Sequence, residues 1–510
     1  MIKNKAGVLI KGAAAMTVLS LINKLLGVFL RLYLSNRIGS EGMGLYQLIM
    51  SVYTMFSTFA TAGFTVSVSR LVAEKDMRSE SDSRLLLKNS FIASAAISIL
   101  ATLLMLFCSG FVAVRFLGDV RCAAPLRILA LSMPFMALAA CLKGWFIARQ
   151  RVIITASASL FEQIVKMSVT ALLLNFVLAN SQDIGALCGG IVLAVTVSEM
   201  CSFTYLLLFK LLPLKKREKY PPTESRQSSM RSLVGVTLPI SLSVWLTSIL
   251  HTVETLLIPF VFESYSGDRS RALSQFGAIR GMVIPVLFFP FAFLSSLVSV
   301  FTPEISRLNM LSSRQPLKAR LTSLMSFVSL VSVAVGGLFF FLPNELGEAF
   351  YPNENTGQAI RILSLVTPFM YNETVSDGLL KAIGEQVKTL KYSVWNSVLR
   401  VALILLMVSK TGENGYLWLL VISNSFTYFL CRRRLYKVTD VKPRLVSDIL
   451  QPLLFALIGG VASRGVLSFL NFGALASAIS GTAVYIGVFA MLMLLFARQR
   501  IAFLLKRLKE

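Results

Sequence analysis

Charge is scarce in this chain. Asp, Glu, Lys and Arg make up 15% of its 510 residues, against about 25% in a soluble globular protein. Acids are the scarcer sign, 25 against 50 bases. A single histidine, His251, rules out a histidine-rich metal site. The six cysteines (Cys108, Cys122, Cys141, Cys188, Cys201 and Cys431) are scattered and form no C-x-x-C pair. They read as small core residues rather than a disulfide or metal framework. There is no G-x-x-x-x-G-K-[ST] loop, so the chain carries no P-loop ATPase of its own. There is no G-x-S-x-G and no long polar stretch to hold a catalytic domain. These absences point away from an enzyme and call for no cofactor. No A-x-A-like cleavage site follows MIKNKAGVLIKG, so no cleaved signal peptide is expected.

What the chain has instead is apolar residues in long runs. Hydrophobic residues are 55% of the total, and the mean hydropathy is +0.72. SFIASAAISILATLLMLFCSGFVAV (90–114) is 25 residues without a charge, and FGALASAISGTAVYIGVFAMLMLLFA (472–497) is 26. A helix crosses the hydrocarbon core with about 20 apolar residues. Barrel strands would be shorter and would alternate. The expected fold is an all-α polytopic membrane protein.

Fourteen crossings are expected, near 10–34, 43–68, 89–113, 126–147, 153–179, 185–209, 233–262, 273–301, 321–343, 359–382, 393–408, 416–430, 448–469 and 474–497. With the N-terminus in the cytoplasm, inner segments carry 33 Lys and Arg and outer loops carry 6, the other eleven lying within crossings. This is the positive-inside pattern, with both termini cytoplasmic. It accounts for the net charge of +25 without nucleic acid.

The chain also repeats itself. RILALSMPFM (127–136) and RILSLVTPFM (361–370) are identical at seven of ten positions, at an offset of 234. The same offset takes Phe116 to Phe350, Gly144 to Gly378, Ala148 to Ala382 and Lys166 to Arg400. The copies fall on crossings 4 and 10. Six crossings separate them, so both point the same way. That implies two parallel six-helix lobes, 1–232 and 233–445, with a working cavity at their interface. The basic linker 210–232 joins them, and 446–510 adds crossings 13 and 14 and a basic tail.

An ionised residue at mid-bilayer costs about 2.5–3.5 kcal/mol on insertion scales, so it needs a partner, water or a function. Lys24, Gly27 and Arg31 share a face of crossing 1. Arg280 lies on crossing 8 between Gly277 and Gly281, with Pro285 and Pro290 beyond. His251 and Glu254 are neighbours on crossing 7; the histidine reads first as a satisfied core residue. Lys24, Arg31 and Arg280 have the chemistry to converge on a polyanionic headgroup, because guanidinium donates to phosphate in pairs. The alternative for each is snorkelling to an interface or pairing with an acid. Glu373, Asp377 and Lys381 on crossing 10, Glu162 and Lys166 on crossing 5, and Arg400 on crossing 11 read as buried structural pairs. Arg127 and Arg361 read as snorkelling. Glu199 and Arg464 have no reading from sequence.

Fourteen crossings as 6+6+2 resemble the multidrug/oligosaccharidyl-lipid/polysaccharide (MOP) exporter superfamily. GVFLRLYLSNRIGSEGMGLYQL (27–48), KGWFIARQR (143–151) and LFEQIVKM (160–167) are similar to its polysaccharide-transporter branch, typified by stage V sporulation protein B and overlapping in role with MurJ-type lipid II flippases. The resemblance implies a flippase that carries a polyprenyl-diphosphate-linked saccharide, a peptidoglycan precursor first of all, to the outer leaflet of a bacterial cell membrane. It implies cavity cations at Lys24 and Arg31 in KLLGVFLR and at Arg280 in AIRGM, a cavity acid at Glu41, and a lipid-tail groove formed by crossings 13 and 14. The sequence departs from the pattern in four ways: Lys24 stands where arginine is expected, its spacing to Arg31 is one residue longer, no acid precedes Arg280, and Glu41 is out of register. The implied partners are the lipid-linked saccharide, membrane lipids and cell-wall synthesis proteins; H+, Na+ and the membrane potential all remain open as the coupling force. Rival readings are a flippase for another lipid-linked polysaccharide unit, a cation-coupled drug exporter and a non-transporting scaffold. Drug exporters for organic cations need an acid-lined cavity, and a scaffold gains nothing from charges in the membrane.

Overall fold

The computed structural model describes residues 2–76, 79–212, 225–311, 314–352, 354–441, 444, 446–469 and 473–496. Residues 213–224 of the expected linker and the basic tail 497–510 lie outside the described residues. Every described element is a helix: α1 Ile2–Thr61, α2 Phe64–Asp76, α3 Glu80–Phe111, α4 Ala123–Ala130, α5 Met133–Ala148, α6 Val152–Leu172, α7 Ile184–Leu211, α8 Arg226–Ser266, α9 Arg269–Gly277, α10 Ile284–Phe288, α11 Phe291–Met310, α12 Arg314–Phe341, α13 Pro343–Phe350, α14 Gly357–Ser364, α15 Thr367–Ala382, α16 Gln386–Leu403, α17 Ser409–Thr439, α18 Gln451–Phe469 and α19 Ala474–Phe496, with short π and 3-10 turns between some of them. The protein is a multi-pass, all-α membrane protein.

Among the described residues, nine helices are long and apolar enough to cross a membrane, and ten if Val120–Ala130 and Met133–Ala148, bent by 44°, form one span. The expected fourteen fit this count once broken and joined helices are recognised. Gly39, at φ 67°, breaks α1 between the first two expected crossings. Gly412, at φ 57°, breaks α17, within the continuous stretch Gln386–Thr439 that holds crossings 11 and 12. Both angles are ones that only glycine adopts readily. Crossings 8 and 10 are interrupted helices: α9 to α11, and α14 with α15.

The duplicated phrase folds twice in the same way. Shifting α4 and α5 by 234 residues gives the bounds of α14 and α15. Each pair is broken one turn before a proline, Pro134 or Pro368, which cannot donate to the carbonyl four residues back and whose ring crowds it. In the first copy Thr102 donates to that freed carbonyl, on Ala130, at 3.1 Å. In the second copy the residue 234 beyond Thr102 is Gly336, where an added Cβ would lie 3.0 Å from the freed Ser364 carbonyl. One copy covers its break with a hydroxyl and the other with a close helix approach. The parallel continues in α6 and α16, which start 234 apart and each end in a π turn, Leu173–Val177 and Ile404–Val408.

By packing, the chain forms two compact units, Met1–Leu30 with Gly44–Leu256, and Arg31–Met43 with Leu257–Glu510. The first has a core in which α2, α3 and α5 bury Phe64, Val68, Leu86, Leu142, Trp145 and Phe146. Arg149 and Lys210 both lie over the Trp145 ring, 3.9 and 3.3 Å from its centroid. In the second unit α18 and α19 pack together on α12 through Phe455 and Met493. Tyr485 donates to the Ala334 carbonyl at 2.8 Å. Arg464 gains an explanation here. It donates to the Phe341 carbonyl at 2.6 Å and to Glu345 at 3.1 Å, tying α18 to the end of α12 and to α13.

Candidate functional site

Arg280 sits in a π turn, Ala278–Val283, that interrupts crossing 8. Gly281 lets this turn approach the start of crossing 2, since an added Cβ would lie 3.0 Å from the Met43 side chain. The Arg280 guanidinium, half-buried, donates from Nε to the Tyr416 hydroxyl at 2.9 Å. Tyr416 is itself fully buried and meets Phe262 edge-on at 5.8 Å. A guanidinium fixed at Nε keeps its outer nitrogens in a set plane, which is the geometry that recognises an anion in a paired fashion.

Arg31 belongs to the same unit and is exposed. Its charge acts on the Tyr351 phenol, which also bonds with Ser35. Tyr351 donates to the Met282 carbonyl, in the same π turn as Arg280, at 3.2 Å. Burial pushes the phenol above its ordinary range, against the Ser35 hydrogen bond and the Arg31 charge. Tyr351 therefore stays a neutral donor that joins the end of crossing 1 to the turn carrying Arg280. Glu41 accepts from Ser270 at 2.6 Å. The neighbouring Ser40 N–H donates to Glu354 at 2.8 Å. Both bonds hold the turn at Gly39.

The remaining candidates lie in the first unit. Lys24 is half-buried. One turn on, Gly27 leaves room for the Gln163 amide of α6. Glu254 is buried at 2% exposure, whereas His251 is exposed and so is not the core histidine expected from sequence. The structure therefore divides the expected helix 1 face, Lys24 and Gly27 falling in one unit and Arg31 in the other.

The charged groups read as structural are mostly paired. Glu162 lies 3.8 Å from both Lys143 and Lys166. Asp377 and Lys381 pair at 2.6 Å. Arg400 donates to Ser423 at 3.0 Å and Asn424 at 3.3 Å, both on α17. Arg127, exposed, donates to Ser109 at 2.9 Å. Glu199 is buried beside the Glu162, Lys143 and Lys166 group. Sequence reasoning missed Lys143 as a partner, and missed Tyr351 and Tyr416. Lys143 lies on the helix before Glu162 and the tyrosines lie far along the chain from Arg31 and Arg280, where helical spacing says nothing.

In the second unit, an apolar cavity of about 240 Å³ lies between α12, α14, α15 and α18. Its walls include Val333, Gly336, Phe340, Pro368, Leu453 and Ala456.

Residues 9–309 match the model of the family described as polysaccharide biosynthesis protein. The chain is 22% identical over 471 residues to stage V sporulation protein B of Bacillus subtilis (strain 168), covering 91% of this chain and 90% of that one. It superposes on a lipid II flippase MurJ in an inward closed conformation with a TM-score of 0.70 at 14% identity, covering 95% and 99% of the two chains. An inward-facing multidrug resistance MATE family transporter of the MOP superfamily superposes at 0.62 with 16% identity, covering 84% and 100%. At these identities the two structures establish the fold alone. On the sequence match and the fold together, the chain belongs to the polysaccharide biosynthesis protein family and has the architecture of the MOP exporters.

Proposed function

We propose that the chain is a flippase that moves a polyprenyl-diphosphate-linked saccharide, of the lipid II type, from the inner to the outer leaflet of a bacterial cell membrane, with both termini in the cytoplasm. The observation that carries this reading is the linked pair of cations in one unit, Arg280 held by Tyr416 and Arg31 beside Tyr351, which in turn bonds to the Arg280 turn. A diphosphate needs more than one donor, and Arg280, already fixed at Nε, supplies paired donors at little entropic cost, with Arg31 adding charge. Glu41, in the same unit, is the further candidate contact there, and Lys24, His251 and Glu254 are candidates within the first unit. The apolar cavity against α18 supplies a surface for an isoprenoid tail, which stays in a lipid-like environment while the headgroup moves. Transport would follow alternating access between two arrangements of the repeated halves. The energy would come from H+, Na+ or the membrane potential, and cell-wall synthesis proteins are the partners that would use the product.

The test is complementation. A cell depleted of its own lipid II flippase should grow when this chain is expressed. Rescue instead of a strain blocked in another lipid-linked polysaccharide would move the substrate assignment within the family. Rescue of neither, with drug resistance gained, would favour the exporter reading.

A further inference from the structure

A second cavity, this one charged, is lined by none of the residues proposed for transport. It measures about 440 Å³ and opens between the start of α16 and the end of α17. Four of its lining side chains are Lys388, Lys391, Arg433 and Lys437. None of the four has a carboxylate within 4 Å among the described residues. A fifth cation, Arg434, is committed elsewhere. It grips Glu385, the residue before α16, with contacts of 2.7, 2.8 and 3.0 Å, and so fixes the two helix ends against each other. The positive-inside rule accounts for basic residues at this face of the membrane, but it does not require them to surround one cavity. Four unneutralised cations around a common space repel each other, and an anion bound there relieves that repulsion.

The rest of the lining says which kind of anion. Tyr392, Trp395 and Leu430 complete the wall, with the two rings 6.1 Å apart. On α16, Lys391 is followed on the same face by Trp395 and Val398, exposed at 55% and 61%. On α17, Phe426 and Phe429, exposed at 37% and 60%, lead on the same face to Arg433. Both helices thus present a stripe that is apolar along its length and basic at the shared end, with aromatic rings at the junction. This is the profile of a lipid with its charged head at the interface and its chains alongside. A site for a free ion has no use for the apolar stripes.

We propose that this cavity binds the phosphate headgroup of an acidic glycerophospholipid from the inner leaflet. The assignment to that leaflet rests on the orientation given with the proposed function; the binding itself does not depend on transport. It is tested on the purified full-length protein by native mass spectrometry during titration with dioleoyl phosphatidylglycerol or dioleoyl phosphatidylcholine. The acidic lipid should be retained about tenfold more strongly than the neutral one, and Lys391→Glu with Arg433→Glu should abolish that preference. Lys88→Glu with Arg151→Glu makes the same charge change at other exposed positions and should leave the preference intact. If the first double variant does not fold, Lys391→Gln and Arg433→Gln singly should each weaken retention. Equal loss in both double variants would reduce the effect to diffuse surface charge and overturn the proposal. So would equal retention of the two lipids, or displacement of the acidic lipid by millimolar inorganic phosphate.

Discussion

Arg280 is the residue on which the transport reading turns. Replacing it with alanine removes charge-assisted hydrogen bonds, each worth about 1.5–3 kcal/mol in a poorly solvated place. Arg280→Ala is expected to lose complementation at matched protein level, and Arg280→Lys to be intermediate, because ammonium keeps the charge but not the paired donors. Insertion of either should be normal, since removing a cation from a membrane helix eases it. Full function of Arg280→Ala would remove the residue from the site, and failure through low expression alone would make it structural. Tyr416→Phe separates positioning from charge. It keeps the buried ring and loses only the hydroxyl that Arg280 donates to. It should weaken transport less than Arg280→Ala while leaving the protein level unchanged. At this scale the sequence marks the charges that fall within apolar segments, but not what they meet. The family resemblance implied a cavity acid at Glu41, and the structure shows it bonded to Ser270. Nothing in the local pattern near residue 41 points to residue 270.

At the scale of the helix, the repeated breaks are the most specific feature. The repeated phrase placed a proline in each copy without showing that the helix breaks before it, and the compensation for the freed carbonyl comes from a neighbouring helix. Thr102→Val keeps the shape of that neighbour and strands the buried Ala130 carbonyl, at a cost of about 1–3 kcal/mol. The thermal unfolding midpoint of the purified protein should fall. Thr204→Val is the control, because Thr204 is exposed and bonds only within its own turn. In the second copy Gly336→Leu should be worse than neutral for two reasons. Its Cβ would meet the Ser364 carbonyl at 3.0 Å and the Pro368 ring at 3.2 Å, and its side chain would fill the apolar cavity proposed for the lipid tail. Hydropathy made the long uninterrupted crossings legible. It did not foresee the π turns, which depend on tertiary packing rather than on composition.

For the whole molecule, the charge split between loops predicts a topology that labelling can check. In a cysteine-free background, Ser264→Cys and Glu348→Cys should react with an impermeant reagent added from outside, and Ser228→Cys should not; all three positions are exposed. Reaction at 228 would end the fourteen-crossing scheme. The architecture was legible because two independent signals agreed, the alternation of loop charge and the 234-residue repeat. The substrate was not, since a binding site in a helical bundle draws its side chains from distant segments. The most direct measurement is the leaflet distribution of lipid-linked saccharide in cells dependent on this chain alone. On its depletion, a polyprenyl-diphosphate-linked saccharide should build up on the inner leaflet, and restored wild type, but not Arg280→Ala at equal level, should clear it. An unchanged distribution on depletion, or clearance by Arg280→Ala, would contradict the account.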